Sequence, residues 1–260
     1  MTTAAVGLAA GWPFGEQPVV VECDPAGGDL LGRYRLEPAP GLTSLAAAVR
    51  HRAGPGLIWQ HTQRLPGGLP VVVGPTGADQ ARASLAQLTR SGAEGLRWAA
   101  SQAGTVVIAD CGRVDSESPA LKVVQDADVM LLLSRARDDA LAHVATQWRR
   151  ASRWSRCPCF VLVGDGYPTT EVARELDIEV MARVPEDQKG AAALGGRPGG
   201  RRSAPARSAL GRSLARIAEL SASHALAQSG SDQQEQTTAL RIRSADRVSD
   251  PRTSWSELRR

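Results

Sequence analysis

Val19-Val20-Val21-Glu22-Cys23-Asp24-Pro25-Ala26-Gly27-Gly28 is the stretch that decides the fold. Three β-branched residues in a row make a short apolar strand with no polar alternation, the pattern of a strand covered on both faces. The run ends in two acids and enters a turn rich in proline and glycine. This is how a buried parallel strand reads where its carboxyl end meets a loop, and in open parallel sheets such loops carry the ligand site.

The same unit recurs outward from there. Upstream, Thr3 to Ala10 is a small-residue helix stopped by Gly11-Trp12-Pro13. Downstream, Leu42 to Val49 reads as a helix, Leu69 to Val73 as a strand, and Ala78 to Thr89 and Ala93 to Gln102 as helices. Thr105 to Ala109 is a strand ending at Asp110-Cys111-Gly112, and Ala127 to Leu133 is another, followed by a helix over Asp138 to Arg150. Cys159 to Val163, a helix over Thr169 to Leu176, and a strand over Ile178 to Ala182 leading to Pro185-Glu186-Asp187 complete the series. Strands alternating with helices and lacking hairpin turns predict a three-layer α/β sandwich: a mostly parallel sheet with helices on both faces.

The carboxyl-terminal part differs. Gly195 to Arg202 holds four glycines and three arginines and reads as a mobile loop. Pro205 to Leu220 resumes a helical pattern, with Leu210, Leu214 and Ile217 on one stripe. From about Ser223 the chain is dominated by Ser, Gln, Asp and Arg. The predicted division is an α/β domain over residues 1–220 and a disordered or weakly helical tail over 221–260, read as a solvated extension, with a specific interaction through Trp255 and Leu258 as apolar anchors as the alternative.

Composition fits a core of Ala, Val and Leu: 42% of the 260 residues are hydrophobic but only 4% aromatic. The longest apolar run, Val129 to Leu133, is far too short to span a bilayer, and the N-terminus lacks the basic region of a signal peptide. A cytoplasmic protein is expected. Four cysteines in a chain of this size do not form a disulfide framework, and Cys157-Pro158-Cys159 has no partner pair at zinc spacing. His51, His61, His143 and His224 show neither zinc spacing nor a Ser/Asp arrangement. A nicotinamide enzyme is disfavoured because no early glycine fingerprint follows a strand. The net charge is +4, and almost all of the positive charge is arginine, the only lysines being Lys122 and Lys189. Arg149, Arg150, Arg153 and Arg156, interleaved with Trp148 and Trp154, form a face that is either solvated or a nonspecific contact for DNA phosphates. Ser134-Arg135-Ala136-Arg137 reads as a solvated loop, with an anion contact as the alternative.

Acidic strand ends locate the candidate chemistry. Glu22/Asp24, Asp110 and Asp187 all follow apolar strands. Carboxylates at such ends can hold a magnesium ion or its waters, offset phosphate charge and position a nucleophilic water; aspartates also cap helices and satisfy turns.

At these residues the chain resembles the ParA/MinD family of deviant P-loop ATPases. Met1-Thr2-Thr3 with Ala4 to Ala10 resembles the end of the family's phosphate loop and the following helix. Glu22-Cys23-Asp24-Pro25-Ala26-Gly27-Gly28 resembles its acidic strand end, Val106 to Gly112 its magnesium-side strand and switch turn, and Val180 to Asp187 the loop beside the nucleotide base. The likeness spans roughly residues 1–220. It implies a P-loop NTPase-like fold, ATP and magnesium as cofactors, and a homodimer that forms around nucleotide. It further implies a protein partner and a role in chromosome partitioning or cell positioning. By residue, it gives Asp24 the water-orienting catalytic role, Thr2 and Asp110 the metal, and Thr2, Thr3, Asp110, Gly112, Pro185 and Asp187 the nucleotide.

The sequence departs from the family where phosphate would bind. Of the Walker A motif Gly-Lys-Gly-Gly-x-Gly-Lys-Thr-Thr only Thr2-Thr3 match, and Met1 stands where the second lysine would be. Gly164 stands where the family offers an asparagine to the base, and Cys111-Gly112 where it has Thr-Pro. The strand before the loop is missing too. Either Met1 is an internal start and a further strand and loop of about 10 to 20 residues precede it, or the sheet is completed in another way. Neither restores the lysine at position 1. Two functions therefore stand: a nucleotide-dependent regulator with weak or lost hydrolysis, and a non-catalytic adaptor on a degenerate P-loop fold.

Overall fold

A computed structural model describes residues 1–13, 15–51, 54, 56–90, 93–196 and 207–248, with the backbone alone from 229 onward. The deciding stretch forms β1 (Gln17–Glu22), longer than its apolar run because all six residues pair in parallel with β4 (Thr105–Asp110). On its other side β1 pairs in parallel with β3 (Pro70–Val72), and β3 pairs antiparallel with the two-residue β2 (Gln63–Arg64). The order of this sheet is β2-β3-β1-β4. A second, all-parallel sheet holds β5 (Met130–Arg135), β6 (Pro158–Val163) and β7 (Val180–Val184) in that order.

The mostly parallel α/β layering read from the sequence is present, with the strands divided between two sheets among the described residues. The reason is local: among the described residues β4 pairs only with β1, and β5 only with β6. Burial registers the break. Val19, Val20 and Val21 are fully enclosed, as are Phe160 and Leu162, whereas every residue from Thr105 to Ala109 and from Met130 to Ser134 is half-buried.

One helix layer lies against both sheets. It contains α1 (Thr2–Ala10), a short α9 (Gln188–Leu194) and α10 (Ala209–Val248). Its core joins Ala5, Leu8, Leu210, Leu214 and Ile217 to Val20 and Val71 of the first sheet and Val161 and Val184 of the second. The Leu210–Leu214–Ile217 stripe is buried as its spacing predicts. The helix carrying it runs past residue 220 to Val248, while Trp255 and Leu258 lie outside the described residues, as does most of the Gly195–Arg202 loop.

The opposite faces have separate cores. Between α2 (Leu30–Tyr34) and β4 come α3 (Leu42–Val49), α4 (Ala78–Leu88) and α5 (Glu94–Ala100). Leu42, Leu45, Leu85, Leu88 and Leu96 of these last three helices cover Val19, Val21 and Val72. After α6 (Leu121–Gln125), the second sheet is covered by α7 (Asp138–Ala151) and α8 (Thr169–Leu176), through Leu141, Val144 and Val172 on Phe160 and Leu162. Trp148 belongs to this core, its ring 5.9 Å from that of Phe160. Arg149, Arg150, Arg153 and Arg156 beside it are exposed. Among the described residues no helix is long and apolar enough to cross a membrane.

Candidate functional site

The parallel pairing of β1 with β4 puts Glu22 opposite Asp110, so two acids 88 positions apart meet at one sheet end. They have different fates. Glu22 is 2% exposed, and its carboxylate is consumed by backbone: Oε1 accepts from the amides of Asp29 (2.6 Å) and Leu30 (2.9 Å), and Oε2 from Gly74 (2.9 Å). Burial outweighs these three donors, and with the nearby Asp110 charge it holds the Glu22 carboxyl above its ordinary value. Glu22 therefore ties the loop after β1 to the end of β3. Gly28 is a glycine because this staple is tight: a Cβ there would lie 2.5 Å from Glu22 Oε2.

Asp24 is held differently. It is half-buried, and its Oδ1 accepts from the Ala26 amide at 2.8 Å, an Asx turn that orients the carboxylate. It abuts Gly112, where φ is +59° and a Cβ would fall 2.1 Å from Asp24 Cγ. The Gly112 amide in turn points at Asp110 Oδ1 (3.4 Å), and the Asp110 carbonyl accepts from the Cys23 amide (2.8 Å). Asp24, Asp110 and Gly112, named separately from the sequence, are thus one cluster. Cys111 lies within it, its thiol pushed up to about 12 by burial and then by the Asp110 and Asp24 charges, so it is no thiolate nucleophile near neutral pH.

The start of α1 adjoins this cluster. Thr2 is 7% exposed and donates its hydroxyl to Asp29 Oδ2 (3.4 Å), the residue whose amide Glu22 holds. The Thr3 hydroxyl accepts from Arg33 (3.2 Å), and Arg33 pairs with Asp29 at 2.6 Å. Both threonine hydroxyls are therefore in contact with the Asp29–Arg33 pair, which sequence reasoning missed. The signal was present as Asp and Arg four apart, but nothing in the sequence placed that pair beside residues 2 and 3.

Across the start of α1, in the second sheet, lies a cleft of about 530 Å³. Met1, Thr3 and Ala4 form one wall; Leu133, Ser134 and Arg135 at the end of β5, Val163, and Val184 to Gln188 form the others. It brings Thr3, Pro185 and Asp187 together and does not include Thr2, Asp24, Asp110 or Gly112. Ser134 and Arg135, read as a solvated loop, are cleft residues. Asp187 contributes to the wall with its carboxylate engaged: Oδ1 accepts from the Gly190 amide (2.8 Å), capping α9, and Oδ2 from Leu210 (3.3 Å) at the start of α10. Those amides hold its carboxyl below the ordinary range. Gly164 borders the same region with φ of +79°, where a Cβ would lie 2.9 Å from Glu186 Oε1.

The donor set suits a hydrated divalent cation better than an all-protein cage. Among the described residues no group of three or more His, Cys, Asp or Glu is placed to hold a metal. Magnesium commonly takes one or two carboxylates, with waters and substrate phosphates completing its shell. Asp24 and Asp110 are the carboxylates beside Gly112 that could contribute to such a shell. For polyphosphate the fit is partial: the Met1 side chain is uncharged, and the basic side chains nearby are Arg33 at Thr3 and Arg135 in the cleft.

No family model and no curated protein matches the chain. Solved structures do. A ParA family ATPase from Chlorobium tepidum TLS is similar with a TM-score of 0.64 at 13% identity, covering 84% of this chain and 92% of that one. MinD, a cell division ATPase of Pyrococcus furiosus, gives 0.58 at 17% identity over 84% and 90% of the two chains. The septum site-determining protein MinD of Pyrococcus horikoshii OT3, complexed with Mg-ADP, gives 0.57 at 15% over 84% and 88%. At these identities the likeness is one of fold: over most of its length the chain has the ParA/MinD-like P-loop ATPase fold.

Proposed function

We propose that this protein is a nucleotide-dependent regulator of the ParA/MinD kind, which binds Mg-ATP at the carboxyl ends of β1 and β4 and hydrolyses it weakly or not at all. The observation that carries the reading is the meeting of Asp24, Asp110 and Gly112 at one sheet end, in a fold shared with ATPases. In this role Asp110, with the Thr2 hydroxyl, would hold magnesium, which when bound offsets phosphate charge. Asp24, half-exposed and oriented by the Ala26 amide, would accept a proton from a water or fix its direction. Thr3 and the Gly112 backbone would contact phosphate, and Pro185 with the Asp187 backbone would border the base in the cleft. The setting is a cytoplasmic partitioning or positioning system with a protein partner, a homodimer formed around nucleotide, and nonspecific DNA contact through the exposed arginines after Trp148.

A second reading is favoured by the start of α1. Met1 leaves the phosphate region without a lysine, and the two threonine hydroxyls already have Asp29 and Arg33 as partners. A non-catalytic adaptor would show these features. Calorimetry with Mg-ATP separates the two, using the 260-residue chain and a version extended at its N-terminus. Binding to the extended form, weakened by Asp110→Ala and with turnover reduced further by Asp24→Ala, is the expected result. No heat from either form under conditions that detect a Kd of about 1 mM would leave the adaptor.

A further inference from the structure

We infer that Cys157 and Cys159 form a binding site for a soft monovalent cation of the Cu(I) class, held between two thiolates at the amino end of β6. The two sulfurs lie 3.8 Å apart, and among the described residues no other hydrogen bond reaches either of them. Pro158 between them opens β6, and side chains two apart along a strand share a face, so both thiols stand on one side of the sheet. Both residues are buried, at 8% and 7% exposure.

Buried cysteines usually pack as small hydrophobes. The other two do: Cys23 belongs to the core beneath α3, α4 and α5, and Cys111 packs against it. Cys157 and Cys159 belong to none of the three apolar clusters, although the residues that follow them on β6 do, Phe160 and Leu162 in one and Val161 in another. The pair is thus enclosed without being core. Alternation puts it on the Val161 side, and Leu131, which stands opposite Cys159 on β5, turns to that same core under α1 and α10. The cleft that Val163 borders lies at the other end of the strand, so the pair is separate from the candidate nucleotide site.

The number and kind of ligands select the cation. Thiolates favour soft ions: Cu(I), zinc and iron–sulfur clusters. Structural zinc and cluster sites take four protein ligands, and among the described residues no group of three or more His, Cys, Asp or Glu is placed to supply them. Cu(I) is satisfied by two thiolates. The competing fate of such a pair is a disulfide, for which the strand is poorly shaped. Residues two apart on a parallel strand have Cα atoms about 6.6 Å apart, close to the upper limit of about 6.8 Å for a disulfide. Closing it would bend β6 where the Met130 amide donates to the Cys157 carbonyl (3.0 Å). A cation between the sulfurs spares that movement. As it binds, each thiol gives its proton to solvent, no electron is transferred, and the complex carries one negative charge.

Titration of the reduced 260-residue chain under argon tests this, with Cu(I) supplied as its acetonitrile complex and a chromophoric Cu(I) chelator as competitor. One equivalent should bind. Cys157→Ala and Cys159→Ala should each lower the affinity by more than about 100-fold, beyond the cost of losing an outer-shell partner, while the double variant Cys23→Ala/Cys111→Ala should keep it. Affinity unchanged by either single variant, or lost in the double one, overturns the inference. So does a stoichiometry of one cation per two chains, since the pair would then be half of a four-thiolate site shared with a second copy. Where a variant does not fold, X-ray absorption at the copper edge of the wild-type complex decides: a first shell of two sulfur neighbours supports the site, and any other first shell overturns it.

Discussion

The two sheets close their carboxyl ends by opposite means. In the first, a buried anion organises the loops: Glu22 gathers the amides of Asp29, Leu30 and Gly74, and glycines at 28 and 112 admit carboxylates where a Cβ would collide. In the second, half-exposed charged groups do it: the Arg183 guanidinium donates to the carbonyls of Gly164 and Tyr167, and Asp187 caps α9 and holds the Leu210 amide. The first arrangement is costly to disturb and leaves Asp24 and Asp110 beside it at a defined spacing. The second is cheap to disturb and leaves an open cleft. Under the proposed function, the rigid acidic end would position the metal and the adaptable open end would accommodate the base.

Removing the anion is the most direct way to break the comparison. Glu22→Ala strands three amides, those of Leu30 and Gly74 buried, and should destabilise the fold by about 3–5 kcal/mol, read from the urea midpoint. Glu22→Gln should cost less, since one oxygen still accepts. The pH dependence sharpens the point. Because the folded carboxyl sits above its ordinary value of 4.5, the folded state holds the proton more tightly than the unfolded one. The contribution is complete below that value and is lost as pH rises through the raised one. Stability of the wild type relative to Glu22→Gln should fall over that window. A difference that is flat, or rises with pH, would show that the three amides and not burial dominate.

Gly112→Ala comes next. It places a side chain at φ of +59° and a Cβ against Asp24, whose carboxylate can swing aside but only by leaving the Ala26 amide. The expected loss is about 1–2 kcal/mol, with loss of any Asp24-dependent turnover. Unchanged turnover would remove Asp24 from the reaction. Asp187→Ala should then lower the melting temperature by less than Glu22→Ala does. The amides at Gly190 and Leu210 hold the Asp187 carboxyl below 3.8, so its contribution is present above that value and fades as pH falls through the lowered one. A larger effect than that of Glu22→Ala would reverse the ranking of the two ends.

The deciding strand and the acids that follow it were legible because apolar runs and their boundaries are local properties. That Asp24, Asp110 and Gly112 share one site followed from parallel order, which alternation of strands and helices suggests and the register of β1 with β4 supplies. What could not be read depends on distant partners. Nothing near Glu22 announces Gly74, 52 positions on, or marks Glu22 rather than Asp24 as the acid committed to backbone. The two-residue β2 carries no periodicity, and α2, with five residues, is shorter than the window in which a helical stripe shows. The resemblance marks a strand as missing from inside the sheet, but not where the gap falls: β4 and β5 each read as an ordinary buried strand, and among the described residues only strand order shows that both are edges.

Arg33 is where the smallest structural effect should accompany a functional one. Its guanidinium is 36% exposed and pairs with an Asp29 carboxylate that is 54% exposed, so solvent screens the pair and Arg33→Gln should change stability by no more than about 0.5 kcal/mol. The same side chain donates to Thr3 at the start of α1, in the region that Met1 leaves without a lysine. If phosphate binds there, Arg33 is the nearest group at Thr3 able to meet it with a forked donor, and its loss should weaken Mg-ATP binding about tenfold. Arg33→Lys should recover only part, because a point charge cannot bridge Asp29, Thr3 and phosphate together. Calorimetry on the three proteins reads this directly. Equal affinity in all of them would assign Arg33 to holding α2 against α1, and would leave the acidic end of the molecule to bind the metal without a cation for the phosphate it carries.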